Sequence, residues 1–151
     1  MRLTFACAVA ALALAALGSA SAQDADRGEQ VQNAACLGCH DLRPIQTSAR
    51  SRDEWAAVVA TMSEKGAKVS DADRPALLDY LARNHGPLPD GAGKPILLNT
   101  CTVCHDLGRV KRQGGTREQW EETIGAMLNE GAMLNEQDIP VLLGYLARNF
   151  R

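Results

Sequence analysis

The sequence predicts an all-α protein built as two consecutive three-helix units, and three observations predict it. Sliding the chain against itself by 65 residues matches 19 of the 49 positions from Cys36 to Asn84 without a gap, the mark of an internal duplication. Apolar side chains in both copies recur at helical spacing, and no stretch shows the alternation of a half-buried strand. Helix start and stop signals also fall at matching places in the two copies. Matched pairs include His40 with His105, Trp55 with Trp120, Met62 with Met127, Gly66 with Gly131, Pro75 with Pro140 and Tyr80 with Tyr145.

Residues 1–22 read as a secretory signal peptide. Arg2 precedes an apolar run from Leu3 to Leu17, and Ala20-Ser21-Ala22 supplies the small residues expected before a cleavage point after Ala22. Cys7 lies at the start of that run and is expected to leave with it. The chain holds 16 basic and 18 acidic residues; loss of Arg2 takes the net charge from −2 to −3. An acidic chain of this kind excludes a nucleic-acid partner, whose binding rests on a net basic surface. No later segment is apolar enough to span a bilayer, so the mature protein is expected to be soluble and periplasmic, without a stable membrane span.

The two units are expected at residues 23–86 and 87–151, because His85-Gly86-Pro87-Leu88-Pro89-Asp90-Gly91-Ala92-Gly93 between them is rich in turn formers. The first helix of each should run from about Asp26 to Cys39 and from about Pro95 to Cys104. The second opens on a capping box, Ser51-Arg52-Asp53-Glu54 and Thr116-Arg117-Glu118-Gln119, in which hydroxyl and N3 side chain satisfy orphan amides reciprocally. Trp55, Val59 and Met62 share one face of it, as Trp120, Ile124 and Met127 do, and Gly66 or Gly131 ends it. The third helix is expected to begin near Ser70 or Asn135, with Leu77, Leu78 and Leu81, or Leu142, Leu143 and Leu146, turned inward. Pro75 and Pro140 must then lie in or just beyond its first turn, where a missing amide hydrogen is tolerated.

Four cysteines remain after the leader, and the plain reading of an even number in an exported chain is two disulfides. The spacing points elsewhere. Cys36/Cys39/His40 and Cys101/Cys104/His105 are both Cys-x-x-Cys-His, the signature of covalent haem c attachment. Residues i and i+3 of a helical turn project to the same side, so each pair can form two thioethers to one haem edge, while His40 and His105 reach the iron. Each histidine is expected to donate its other ring N–H to a backbone carbonyl, fixing tautomer and basicity. A zinc ribbon brings its cysteine pairs within about 15–20 residues of each other, whereas 61 residues separate Cys39 from Cys101, and a redox Cys-x-x-Cys does not need the trailing histidine. Two units of about 60 residues, with aromatics at only 4%, would also be marginal without a cofactor as core.

Met62 and Met127, each 22 residues after its histidine, are the candidate sixth ligands; the alternative is that they only fill the core. A thioether ligand would raise the potential and close the position that oxygen chemistry needs. Gly125-Ala126-Met127-Leu128-Asn129-Glu130 is repeated at once through Gly131 to Glu136, making Met133 a local competitor, but the 65-residue register pairs Met133 with Lys68. His85, the one spare histidine, aligns with Phe150 and is expected to pack or face solvent. The loops after the motifs carry Arg43, Arg50 and Arg52, and Arg109, Lys111, Arg112 and Arg117, which could pair with haem propionates or simply be solvated. Trp55 and Trp120 could donate to a propionate or pack in the core.

With these residues the chain resembles the class I c-type cytochromes in tandem di-haem form, over essentially the whole mature sequence. The two Cys-x-x-Cys-His motifs and the terminal Tyr-Leu-Ala helix carry the resemblance. The Trp-x6-Met-x3-Gly pattern at Trp55/Met62/Gly66 and Trp120/Met127/Gly131 is similar to that of haem domains attached to periplasmic dehydrogenases, including quinohemoprotein amine dehydrogenases. In many class I members the distal methionine sits in a loop, whereas here it is expected on a capped helix. The resemblance implies a periplasmic electron carrier rather than an enzyme, with two covalently bound haem c groups. Its partners would be periplasmic redox proteins, a dehydrogenase, an oxidase or a quinol oxidoreductase. The alternatives are a small peroxidase-like haem enzyme, for which the chain is short and offers no distal acid/base histidine, and a haem-based ligand or redox sensor.

Overall fold

The computed structural model describes residues 27–151; the expected leader, its cleavage point and Cys7 lie outside the described residues. All regular structure among them is helical, so the protein is all-α. Helix α1 covers 27–36, followed by α2 (Arg43–Gln46), α3 (Arg52–Glu64), α4 (Arg74–Asn84), α5 (Gly93–Thr100), α6 (Leu107–Gln113), α7 (Arg117–Asn129) and α8 (Ile139–Asn149), with 3-10 turns at Cys101–Val103 and Glu136–Asp138. No helix among them is long and apolar enough to cross a membrane.

The chain divides into two compact units. The described residues up to Asp41, together with Arg52–Arg83, form the first; Leu42–Ser51, together with Asn84–Arg151, form the second. The second unit thus takes in a ten-residue segment that the sequence repeat assigns to the first copy. In the first unit Val31, Trp55, Val59, Leu77, Leu78 and Leu81 are buried. In the second, α5 and α7 both pack on α8, around a core of Leu97, Trp120, Ile124, Leu142, Leu143, Tyr145 and Leu146.

Each sequence copy holds its first helix against its last through a glycine. A Cβ at Gly28 would lie 2.3 Å from the Tyr80 Cβ and 2.5 Å from the Ala76 carbonyl oxygen, and one at Gly93 would lie 2.3 Å from the Tyr145 Cβ. Gly28 and Gly93 are one 65-residue register apart, as are Tyr80 and Tyr145. Tyr145 is fully buried, its hydroxyl donates to the Pro89 carbonyl at 2.7 Å, and its ring meets Phe150 edge-on at 6.0 Å.

Three boundaries differ from those the sequence suggests. The first helices end at residue 36 and at Thr100, three to four residues early, because the chain tightens into a turn across each cysteine pair. The third helices begin at Arg74 and Ile139 rather than near Ser70 and Asn135. Those two residues cap the preceding turn instead: the Asp73 amide donates to Ser70 Oγ at 3.1 Å, and Asn135 Nδ2 donates to Asp138 Oδ2 at 2.9 Å. Pro75 and Pro140 thereby fall at the second helical position, where no amide is needed. The expected loops after the motifs contain helices α2 and α6, so each copy carries four helices rather than three; α6 is capped by Asp106, whose carboxylate accepts from the Arg109 amide at 3.0 Å.

The glycine contact carries a stability prediction. Gly93→Ala forces a methyl onto a tyrosine that cannot move, and should cost about 1–3 kcal/mol. Gly125→Ala, at a helical position with nothing within 4 Å, should instead stabilise by up to about 1 kcal/mol. Denaturant unfolding midpoints of the two variants measure the contrast.

Candidate functional site

Both cysteine pairs sit on the same local geometry. Cys36 ends α1, and its carbonyl accepts from the Cys39 amide at 3.3 Å and the His40 amide at 3.4 Å. Cys101 repeats this, accepting from the Cys104 amide and from the His105 amide at 3.4 Å. The first cysteine of each pair is half-buried and the second exposed, all four as free thiols. Burial pushes the Cys36 thiol up, and burial followed by the neighbouring Cys104 does the same at Cys101. That is opposite to the depressed pKa of a redox-active thiol.

The histidines are oriented alike. His40 Nδ1 lies 2.6 Å from the Asp41 carbonyl oxygen and His105 Nδ1 lies 3.1 Å from that of Asp106. A carbonyl only accepts, so Nδ1 carries the proton in each, and Nε2 keeps its lone pair for a ligand bond.

The methionines are held through their backbone. The Ala67 amide donates to the Met62 carbonyl at 2.9 Å and the Gly66 amide to the Ser63 carbonyl at 3.0 Å; Ala132–Met127 and Gly131–Leu128 repeat these bonds at 2.9 and 3.0 Å. This is a Schellman ending, with the methionine at C3. Gly66 at φ 106° and Gly131 at φ 95° supply the left-handed residue it requires.

In the second unit these parts converge. Cys101, His105 and Met127 line one cavity of about 110 Å³, partly open to solvent and walled by Leu97, Val110, Ile124, Leu128, Leu142 and Leu146. It is smaller than the roughly 300–1,000 Å³ of ligand pockets, so a bound cofactor would have to part these walls. Met133, by contrast, is 90% exposed, and Cys104 is exposed at the rim of the turn. In the first unit Cys36 and Met62 are half-buried, while Cys39 and His40 are exposed. Gln32, one register from the cavity-lining Leu97, is buried with no partner for its Oε1. An unpaired buried amide oxygen costs about 1–3 kcal/mol, which a bound polar group or water would remove.

The cations divide by role. Arg109 is the one guanidinium among the described residues lining the cavity. Arg52 pairs with Asp79 at 2.7 Å, and Lys111 Nζ donates to the Asn84 and Gly86 carbonyls at 3.3 and 3.4 Å, with burial holding its pKa below the usual lysine range. Arg43 donates to the carbonyls of Thr102, at 3.2 Å, and Val103. Trp120 lines the cavity, but its indole N–H donates to the Phe150 carbonyl at 2.8 Å, so a role as propionate donor gives way to a core role. His85 is half-buried, its pKa lowered by burial and by Lys111 against the opposing pull of Asp106.

The Gly28–Tyr80 and Gly93–Tyr145 contacts were missed because the repeat was matched only from Cys36 onward; the same register extended upstream contains both glycines. Helix α6 was missed because its basic residues and Gly108 read as loop, although Asp106 followed by Leu107 and Val110 is an N-cap with helical spacing.

Trp120→Phe removes the indole donor and one of its two fused rings, leaving the Phe150 carbonyl without this donor. It should cost at least about 1–3 kcal/mol by denaturant unfolding. Comparison of the chain with protein-family models, curated proteins and solved structures gives no match.

Proposed function

We propose that the protein is a periplasmic di-haem c-type cytochrome that passes single electrons between a dehydrogenase or quinol oxidoreductase and a terminal acceptor. The observation that carries this reading is the meeting of Cys101, His105 and Met127 on one apolar-walled cavity, with the same motif repeated at Cys36, Cys39, His40 and Met62. When bound, haem supplies a one-electron Fe(III)/Fe(II) couple. Cys36 and Cys39, and Cys101 and Cys104, would add S–H across its vinyl groups, which releases nothing and needs no oxidant. His40 and His105 would each offer Nε2, their Nδ1 protons being committed to Asp41 and Asp106. Met62 and Met127 would offer a thioether from a backbone locked by a Schellman ending. Thioether ligation raises the potential and leaves no open position for a substrate. The leucine walls are apolar, and Arg109 lines the cavity, where a cation can pair with a propionate.

The donor chemistry supports haem over zinc. A zinc site draws three or four donors from cysteine, histidine and carboxylates, and among the described residues no three such side chains are grouped to hold an ion. A haem iron asks for only one imidazole and one thioether.

The reading is tested by expressing the chain in a host that attaches haem. Two haems per chain, and a far-red Met-to-Fe(III) absorption band in the oxidised protein, are expected. Met127→Ala should remove about half of that band's intensity and Met133→Ala none. A chain that matures without haem, or a band missing from both haems, rejects the proposal or its methionine ligands respectively.

A further inference from the structure

The segment Leu42–Ser51 follows the first motif directly in sequence, yet belongs to the second compact unit. Three separate contacts tie it there. The Arg43 guanidinium donates to the Thr102 and Val103 carbonyls, the two residues between Cys101 and Cys104. Ala49 packs against the second unit's core. The Arg50 amide donates to the His85 carbonyl at 3.0 Å. Helix α2 itself is closed by side chains: Thr47 Oγ1 donates to the Arg43 carbonyl at 2.8 Å and Ser48 Oγ to the Pro44 carbonyl at 2.7 Å. Pro44 fixes its first turn. Arg43 is therefore presented from a short, internally braced helix.

We propose that Arg43 is a positioning residue of the second haem site: it holds the Cys101–Cys104 turn in its attachment geometry and places a permanent positive charge beside that haem edge. The inference rests on the haem reading above and extends it. A 3-10 turn leaves its last carbonyls without intrahelical donors, and one terminal nitrogen of the guanidinium, Nη2, carries two N–H groups and donates to both. The charge disfavours Fe(III) relative to Fe(II), and so raises the potential of that haem. The register puts Gly108 in copy two where copy one has Arg43, so the duplication provides no second arginine of this kind. The second site is thus completed by a residue from the first copy's sequence.

The test uses the full, haem-matured chain, with haem counted per chain and the two midpoints resolved by optical redox titration. The wave belonging to the second haem is identified as the one that moves in Met127→Ala. Arg43→Gln should shift that wave so that its Fe(II)/Fe(III) ratio at fixed potential falls roughly three- to tenfold, with the first wave unmoved. Loss of one haem per chain with the first wave intact would equally support the positioning role. Arg43→Lys, which keeps the charge without the planar guanidinium, should retain most of the midpoint. Unchanged haem content and unchanged midpoints in Arg43→Gln would overturn the proposal, as would equal loss of both haems. A wild-type chain that takes up no haem would overturn the haem reading itself, a result separable from all of these.

Discussion

Each copy depends on the approach of a glycine in its first helix to a tyrosine in its last. With a Cβ at Gly93 the distance to the Tyr145 Cβ would be 2.3 Å, so the two helices come closer than any other residue would permit. The consequence reaches the site through helix rigidity. Cys36 lies eight residues after Gly28, and Cys101 eight after Gly93, about 12 Å along a helix. Fixing the glycine therefore fixes the cysteine turn two turns away, and with it the histidine whose amide is bonded back to the first cysteine. Tyr145 passes the constraint on, since its hydroxyl holds the Pro89 carbonyl and its ring holds Phe150, whose own carbonyl receives the Trp120 indole.

What this frame encloses in the second unit is an apolar core with a small cavity at its side. Leu97, Ile124, Leu142 and Leu146 line that cavity as well as packing on one another. A unit this small has little packing to spare. Under the proposed function, a large apolar cofactor fastened at Cys101 and Cys104 would add its own contacts to those walls. The buried Gln32 Oε1 makes the corresponding place in the first unit more polar.

The parts legible in the sequence were those set by local chemistry. The Thr116/Gln119 capping box is present in both directions, Gly66 and Gly131 take the left-handed conformation, and the apolar stripe through Trp120 and Ile124 is buried. All of these follow from spacing within one helix. The errors came where a residue answers to a distant partner or to a competing local bond. Ser70 and Asn135 were read as helix starts, but their side chains close a turn with Asp73 and Asp138, and helix begins one turn later. Arg43 looked like one more cation in a loop, because nothing within several residues of it reveals that Thr102 and Val103 will be its acceptors. The methionines lie between these cases: the register points to Met127 and the local repeat to Met133 as well, and with α7 ending at Asn129 the first lines the cavity while the second is exposed.

Some of the divergence between the copies falls where, under the proposed function, it would alter the cofactor's surroundings rather than its attachment. The cysteines, the histidines, the Schellman glycines and the Gly–Tyr contact are kept in register, while Leu97 stands against Gln32, Gly108 against Arg43 and Arg109 against Pro44. Attachment and scaffold tolerate little change, because each is a single geometry; charge and polarity near the cofactor can change without unfolding anything. Two identical sites on one chain would have equal potentials and give an electron no preferred direction. Under the proposed function, Arg43 and Arg109 beside the second site favour the reduced state there, so the asymmetry between the copies is what would let two copies of one domain act as successive steps.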